Sequence, residues 1–162
     1  MNYGYLCNEI QHFSAMAKIT VQNTQITVLQ WAEQDYISLT DMASAKEGDS
    51  RSADIIKNWI RNRYTIEFLG TWEVIHNPNF KVVEFDHFRK SAGLPSFVLS
   101  ASEWIECTSA IGLVVKKGRY GGTYAHKDIA FEFGSAISVP FKLYLIEEFQ
   151  RLKTEEVRQL GW

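Results

Sequence analysis

The feature that most constrains the fold is a change in hydrophobic period along the chain. Residues 18–30, KITVQNTQITVLQ, alternate apolar and polar side chains on both sides of Asn23-Thr24, which predicts a β-hairpin. Farther along, apolar residues recur every three or four positions, the spacing of helices that bury one face. The sequence therefore predicts an α+β fold.

Composition narrows the class of protein. The 162 residues suffice for one domain with a core, and 46% hydrophobic with 14% aromatic residues indicates a globular chain. No apolar run approaches the length of a membrane span, and the N-terminus lacks the pattern of a secretory signal. Cys7 and Cys107 lie far apart outside any CxxC pair. Two lone cysteines fit a reducing compartment, so a cytoplasmic location is expected.

Several helices are predicted from apolar spacing and capping residues. YISLTDMASAK is expected to form a short helix capped by Ser38 or Thr40, and SADIIKNWIRNR a second helix, over Ser52–Arg63, capped by Ser52. A polar turn between them predicts a helix-turn-helix pair. TIEFLGTWEVIH, EFDHFRKSAG, SASEWIECT and AHKDIAFEFGSAIS predict further helices. A long amphipathic helix closes the chain, with the stripe Phe141, Tyr144, Leu145, Phe149 and Leu152.

Cations gather in two places although the net charge is −2. The first cluster lies around the second helix of the pair and comprises Arg51, Lys57, Arg61 and Arg63. Lys57 and Arg61 are four residues apart and are expected to share a helix face. Asn58 and Asn62 lie beside them, and Asn and Arg can both bond base edges bidentately. The helix is therefore predicted to have one buried face and one face compatible with DNA.

The second cluster lies in GLVVKKGRYGGTY, which reads as strand, tip and strand. Lys116, Lys117 and Arg119 at a glycine-rich tip are typical of a DNA-binding wing, because cations displace counterions from phosphates and glycines allow a tight turn. Tyr120 is expected to pack on a sugar or on the hairpin. The last helix holds Glu147, Glu148, Glu155 and Glu156, apart from both clusters, so the cations are predicted to form one face of the molecule.

Two alternative chemistries start from short patterns. A metal-dependent nuclease would need a ββα frame. Its candidate residues are His76, Asn77, Asn79, Glu84, Asp86 and His87. The pattern around them predicts a turn and a surface helix instead. GRYGGT before a helix could hold a nucleotide phosphate, but it lacks the GK[ST] ending of a P-loop.

The third alternative is a protein-interaction module, favoured by the acidic last helix and the near-neutral charge.

Longer motifs resemble a known family. DYISLTDMA, IKNWIRNRYTIEFLGTWE, NPNF, VEFDHFRKSAGL, GRYGGTYAHKDIAFEF and FKLYLIEEFQRL occur in the order seen in the KilA-N domain family of phages, bacteria and large DNA viruses. That family is considered a DNA-binding module sharing its core with the fungal APSES domain. The resemblance covers roughly residues 17 to 155. It implies a winged-helix-like core with an N-terminal hairpin, a helix-turn-helix pair, inserted helices, a basic wing and a long C-terminal helix.

The resemblance also implies a function and boundaries. Residues 1–15 are expected to be an extension before a domain at 16–162, and many family members carry a further C-terminal domain. The protein is expected to bind double-stranded DNA in a phage- or mobile-element-type regulatory role, without enzymatic activity, cofactor, metal or membrane. The last helix is the expected surface for a homo-oligomer or a partner domain. The expected DNA contacts are Arg51, Lys57, Asn58, Arg61, Asn62, Arg63, Lys116, Lys117, Arg119 and Tyr120.

Overall fold

The computed structural model describes residues 15–47, 51–118 and 121–161. Five strands form one antiparallel sheet of order β1-β2-β3-β5-β4. The strands are β1 (Ala15–Val21), β2 (Thr24–Trp31), β3 (Gln34–Ser38), β4 (Leu113–Lys116) and β5 (Gly122–His126). The described helices are α1 (Leu39–Glu47), α2 (Ser52–Ile60), α3 (Arg63–His76), α4 (Val82–Ser91), α5 (Ala101–Thr108), α6 (Lys127–Ile137) and α7 (Val139–Gln159). The predicted α+β class is confirmed.

The N-terminal hairpin is confirmed, with its turn one residue earlier than predicted. Val21 pairs with Thr24, so Gln22 and Asn23 form the turn, at φ values of 48° and 67°. Positive φ at both central residues matches the twist of the flanking strands, and asparagine tolerates it better than most residues. Ile19 lies opposite Ile26, and both are buried in the main core.

Strand β3 was missed in the sequence. The segment from Tyr36 was predicted to be helical, but Tyr36 and Ile37 pair with β2 and β5. Helix α1 begins only at Leu39. The preceding residue, Ser38, accepts a hydrogen bond through its hydroxyl from the Asp41 amide at 3.0 Å. Ser38 is therefore the predicted cap, and it also ends the strand.

The main core lies between one sheet face and the helices, and it includes the predicted stripe of α3. Ile66, Leu69 and Trp72 are all buried. Gly70 weakens a helix intrinsically, yet a Cβ there would collide with the Phe85 ring. The glycine therefore permits close approach of α3 and α4.

Other helix boundaries follow their caps. The Ser100 hydroxyl accepts from the Glu103 amide at 3.1 Å and caps α5 as predicted. Helix α4 begins at Val82, two residues before its predicted start, and Ala125 belongs to β5 rather than to α6.

Helix α7 packs against α6 and β1. Its buried residues are Phe141, Leu145 and Phe149. Tyr144 was predicted in this stripe but is 51% exposed, because it lies on the side of the helix away from the core. Among the described helices, none is both long and apolar enough to cross a membrane.

Candidate nucleic-acid interface

Helix α2 has the two faces that its sequence predicts. Ile56, Trp59 and Ile60 are buried, and the Trp59 ring meets the Phe133 ring edge-on with centroids 4.8 Å apart. Lys57 and Asn58 are exposed on the other side of the helix. Because α2 is anchored through Trp59, its polar face is presented at a fixed angle to solvent.

The limits of α2 differ from the prediction at both ends. Ser52 is buried and already helical, whereas Arg51 is the N-cap and makes no capping hydrogen bond through its side chain. A cap needs a non-helical backbone, so Ser52 as a cap was wrong. At the other end, the helix stops at Ile60 rather than at Arg63.

A tertiary contact ends α2 early. The Arg61 carbonyl accepts from the Gly93 amide at 3.2 Å, and the Arg61 guanidinium donates to the Pro95 carbonyl at 3.1 Å. Asn62 is extended and donates its side-chain amide to the Asn58 carbonyl at 3.1 Å. Arg61 and Asn62 therefore hold the junction between α2 and α3, and Arg63 begins α3 as an exposed residue.

One groove runs along α2 between α1 and the end of α6. It encloses about 340 Å³ and is lined by Lys46, Arg51, Asp54, Ile55, Asn58, Trp59, Asn62 and Ala136. The Lys46 ammonium donates to the Ala136 carbonyl at 3.0 Å. Lys46 was not predicted as a site residue, because a single cation in the last turn of a helix gives no functional signal. Asp54 is the acid in this groove.

A second groove lies where α2 faces the wing, the hairpin of β4 and β5. It encloses about 370 Å³. Lys57 and Ser52 of α2, Ser100 and Ser102 at the start of α5, and Gly122 and Thr123 of the wing contribute to its walls. The structure therefore places Lys57, one member of the α2 cluster, beside the wing. The α5 contribution was missed, because it is separated from α2 by forty residues of sequence.

The wing docks on the start of α1. The Thr123 amide donates to the Thr40 hydroxyl at 3.0 Å, and a Cβ at Gly122 would lie 2.7 Å from that oxygen. Gly122 also has a φ of 147°, which L side chains rarely adopt. The absence of a side chain at Gly122 therefore allows the wing to pack against Thr40. Near the tip, Lys117 is exposed and Lys116 is partly buried. The predicted contacts Arg119 and Tyr120 lie outside the described residues.

A buried carboxylate fixes the start of the wing. Glu73 of α3 is 1% exposed. Its two oxygens accept from the amides of Ile111 at 2.8 Å and Gly112 at 2.6 Å, and from the Asn77 side chain at 2.9 Å. Burial raises the pKa of Glu73, although these three hydrogen bonds oppose the rise. The segment leading into β4 is therefore held by α3.

A second polar cluster joins α3 to β5 and α6. The Trp72 ring stacks on His76 with centroids 4.4 Å apart and lies 4.9 Å from the His126 ring. The Trp72 indole donates to Asp128 at 3.1 Å, and His126 Nδ1 accepts from the Asp128 amide at 3.2 Å. Burial lowers the pKa of His126, with Asp128 acting in the opposite direction. His126 therefore serves as a largely neutral cap of α6.

The residues considered for a nuclease take separate roles. His76 Nδ1 lies 2.9 Å from the Trp72 carbonyl, Asn77 holds Glu73, and Asp86 binds Arg89 at 2.6 Å. His87 is exposed and lies 3.8 Å from Glu84. Across the described ranges, no three His, Cys, Asp or Glu side chains are placed to share a metal ion.

The acids of α7 are largely matched by neighbouring cations. Arg151 pairs with Glu148 at 3.0 Å, Arg158 pairs with Glu155 at 2.7 Å, and Lys153 pairs with Glu156 at 2.5 Å. The helix carries four acids and four cations, so its net charge is zero. It packs on α6 and β1, whereas α2 packs on α1 and α3.

The comparisons with known proteins give one match. A family model described as KilA-N domain matches residues 19–155. Neither the curated proteins nor the solved structures gave a match. The matched span contains α1, α2, the buried Glu73 and the hairpin of β4 and β5.

Proposed function

Because the chain belongs to the KilA-N family, whose members are in general DNA-binding domains, we propose that it binds double-stranded DNA through α2 and the wing. The domain in this proposal runs over residues 16–162, after an extension at 1–15. Its role is regulation of the phage or mobile-element type. No step of the proposal requires a cofactor, a metal ion or a catalytic residue.

The dimensions of α2 support insertion into the major groove. An α-helix with its side chains is about 10–12 Å across, and the major groove of B-DNA is about 12 Å wide. Lys57 and Asn58 project from the face opposite the buried Trp59. A phosphate contact suits Lys57, and a bidentate bond to an adenine edge suits Asn58.

The observation that carries the proposal is the position of Lys57. It lies on the exposed face of α2 and lines the groove that α2 forms with the wing. A DNA backbone passing this groove would meet Lys57 from one side and the wing residues Gly122 and Thr123 from the other, and the proposal places Lys116 and Lys117 farther along the same backbone. Arg119 and Tyr120 extend the same proposal to the tip of the wing.

The remaining predicted DNA contacts differ in where they lie in the structure. Arg51 and Asn62 line the groove beside α2, and Arg63 is exposed at the start of α3. Arg61 donates to the Pro95 carbonyl, so its contact with DNA would require that bond to be exchanged. We therefore expect Arg61 to contribute less to affinity than the exposed Arg63.

A charge reversal tests the proposed surface. Lys57→Glu combined with Lys117→Glu should weaken binding to a labelled random duplex by at least about tenfold at low salt, because two phosphate contacts become repulsive. Lys81→Glu combined with Lys90→Glu is the matched control with the same change in net charge, since both are exposed lysines at the ends of α4. Asp54→Asn should act in the opposite direction and tighten binding. Equal losses in the control and in the double variant would contradict this surface.

A further inference from the structure

Helix α5 forms a third wall of the groove between α2 and the wing, and the proposed DNA contacts do not include it. Ser100, Ala101 and Ser102 line the groove on this side. Ser102 is exposed and Ser100 is partly buried. The Ser100 hydroxyl accepts from the Glu103 amide, and its own proton remains available for a further acceptor. Helix α5 therefore offers polar groups to whatever occupies the groove.

The walls of this groove carry hydroxyl groups and one cation. The hydroxyls belong to Thr40, Ser52, Ser100, Ser102 and Thr123, and the cation is Lys57. No acid is among the described residues that line it, whereas the groove along α2 contains Asp54. Hydroxyl and ammonium groups both donate hydrogen bonds to phosphate oxygens. An anion can therefore enter this groove without meeting a carboxylate in its walls.

Lys57 lies on the side of α2 that forms its wall of the groove. Ser52, Ala53, Ile56 and Lys57 line the groove, and residues at this spacing share one side of a helix over two turns. Ile56 is buried, whereas Lys57 is exposed. This side of α2 therefore leads from the core to a cation at the solvent edge of the groove.

Two helices begin at the groove, which adds to the positive charge of Lys57. Helix α2 begins with Ser52 and α5 with Ala101, and both residues line the groove. The first amides of a helix have no carbonyl partner within it, so a helix start carries a partial positive charge. The Arg51 side chain makes no capping hydrogen bond that would offset this charge at α2. Side chains and backbone therefore favour the same kind of ligand.

We propose that the start of α5 is a third DNA contact, at which one backbone phosphate lies between Lys57 and Ser102. The phosphate oxygens accept hydrogen bonds from the Lys57 ammonium and from the hydroxyls of Ser100 and Ser102. The inference rests on the proposed DNA binding and adds to it an element outside α2 and the wing. Phosphate contacts carry no base information, so α5 contributes to affinity and to the position of the duplex.

Ser102→Glu distinguishes a DNA contact from a structural role, because the two predict opposite signs. The helix dipole stabilises an acid in the first turn, so the melting temperature should stay the same or rise. Binding to a labelled random duplex at about 50 mM salt should nevertheless weaken at least about fivefold, since the glutamate would face a phosphate. Thr154→Glu is the control with the same change in charge, at an exposed position of α7, and should weaken binding by less than about twofold.

The opposite charge at the same position should reverse both effects. Ser102→Lys places a cation at a helix start, so the melting temperature should fall. Duplex binding should tighten, and the slope of log K against log salt should steepen by about 0.9, the value for one further phosphate contact. Thr154→Lys should leave that slope unchanged.

Backbone amide signals locate the contact without any substitution. When random duplex is added to the isotope-labelled full chain, the nuclear magnetic resonance signals of Ala101 and Ser102 should shift together with that of Lys57. The signal of Leu160, on α7, should stay in place. Inorganic phosphate, at the same concentration of phosphate groups, should cause much smaller shifts, because α2 and the wing hold only the duplex at this groove.

Three results overturn this proposal while leaving DNA binding intact. One is a loss of affinity in Ser102→Glu no larger than in Thr154→Glu. Another is a duplex that shifts the signal of Lys57 but not those of Ala101 and Ser102. The third is an equal shift with inorganic phosphate, which would mark a site for the free anion. A wild-type chain that does not bind duplex at about 50 mM salt would instead overturn the proposed function, and this inference with it.

Discussion

At the residue scale, Glu73 shows how one side chain can position a surface that lies elsewhere. Its carboxylate accepts hydrogen bonds from Ile111 and Gly112, the two residues before β4, and from Asn77. Asn77 in turn donates to the Ser109 carbonyl at 2.9 Å. The direction in which the wing leaves the core therefore depends on a buried acid of α3.

Removing this carboxylate should be costly. Glu73→Ala leaves three donors without their acceptor, and we expect it to lower the free energy of unfolding by about 3 kcal/mol or more. Urea denaturation measures this loss. Glu147→Ala, at an exposed position of α7, should change it by less than about 0.5 kcal/mol. Similar values for the two variants would show that Glu73 does not hold the wing.

A pH dependence follows from His126, whose pKa is lowered by burial. As pH falls, His126 is protonated at a higher pH in the unfolded chain than in the folded chain. The folded state therefore loses stability as pH falls below about 6.5. His126→Gln lacks this proton uptake. The difference in unfolding free energy between wild type and His126→Gln should therefore shrink as pH is lowered from about 7 to 5. A constant difference would mean that folding leaves the pKa of His126 unchanged, and a growing one would mean that folding raises it.

At the scale of elements, the wing is a hairpin with a fixed base and exposed residues near its tip. Gly122 lies against Thr40 at the start of α1, whereas Gly118, at the tip, has no other atoms within 4 Å of its would-be Cβ. Both glycines have positive φ, 147° and 84°. Substituting each glycine in turn therefore distinguishes the effect of backbone strain, present at both, from the effect of close packing, present only at Gly122.

Alanine at these two positions should give unequal effects. Gly118→Ala carries only the backbone penalty, about 1 kcal/mol, whereas Gly122→Ala adds a collision with Thr40 and should cost about 2–3 kcal/mol. Thermal or urea unfolding of the two variants measures the difference. If Gly118→Ala proved the more damaging of the two, the docking of the wing on α1 would be contradicted.

The sequence predicted those elements whose signals are local. The N-terminal hairpin, α3 and the strand-tip-strand of the wing follow from alternation or helical spacing within a dozen residues. Strand β3 was missed because its five residues run directly into the cap of α1. The end of α2 at Ile60 and the role of Glu73 depend on partners thirty or more residues away, at Gly93 and Gly112. Such contacts leave no periodic signal in one sequence.

At the scale of the whole molecule, a net charge of −2 is compatible with a DNA-binding face because the cations are grouped. Lys57 and the wing line one groove, while the acids of α7 pair with Arg151, Lys153 and Arg158. Charges separated by more than about 10 Å are screened from each other at ordinary salt. The field near α2 is therefore set by the local cluster rather than by the net charge.

The salt dependence of DNA binding tests this account most directly. Fluorescence anisotropy of a labelled random duplex should be titrated with the full chain at about 50 and 200 mM salt, over which counterion release changes affinity steeply. We expect measurable binding at the lower concentration and a loss of at least about tenfold at the higher one, since each phosphate contact contributes about −0.9 to the slope of log K against log salt. Absence of binding at the lower salt concentration, or binding that does not weaken with salt, would contradict a cationic interface formed by α2 and the wing.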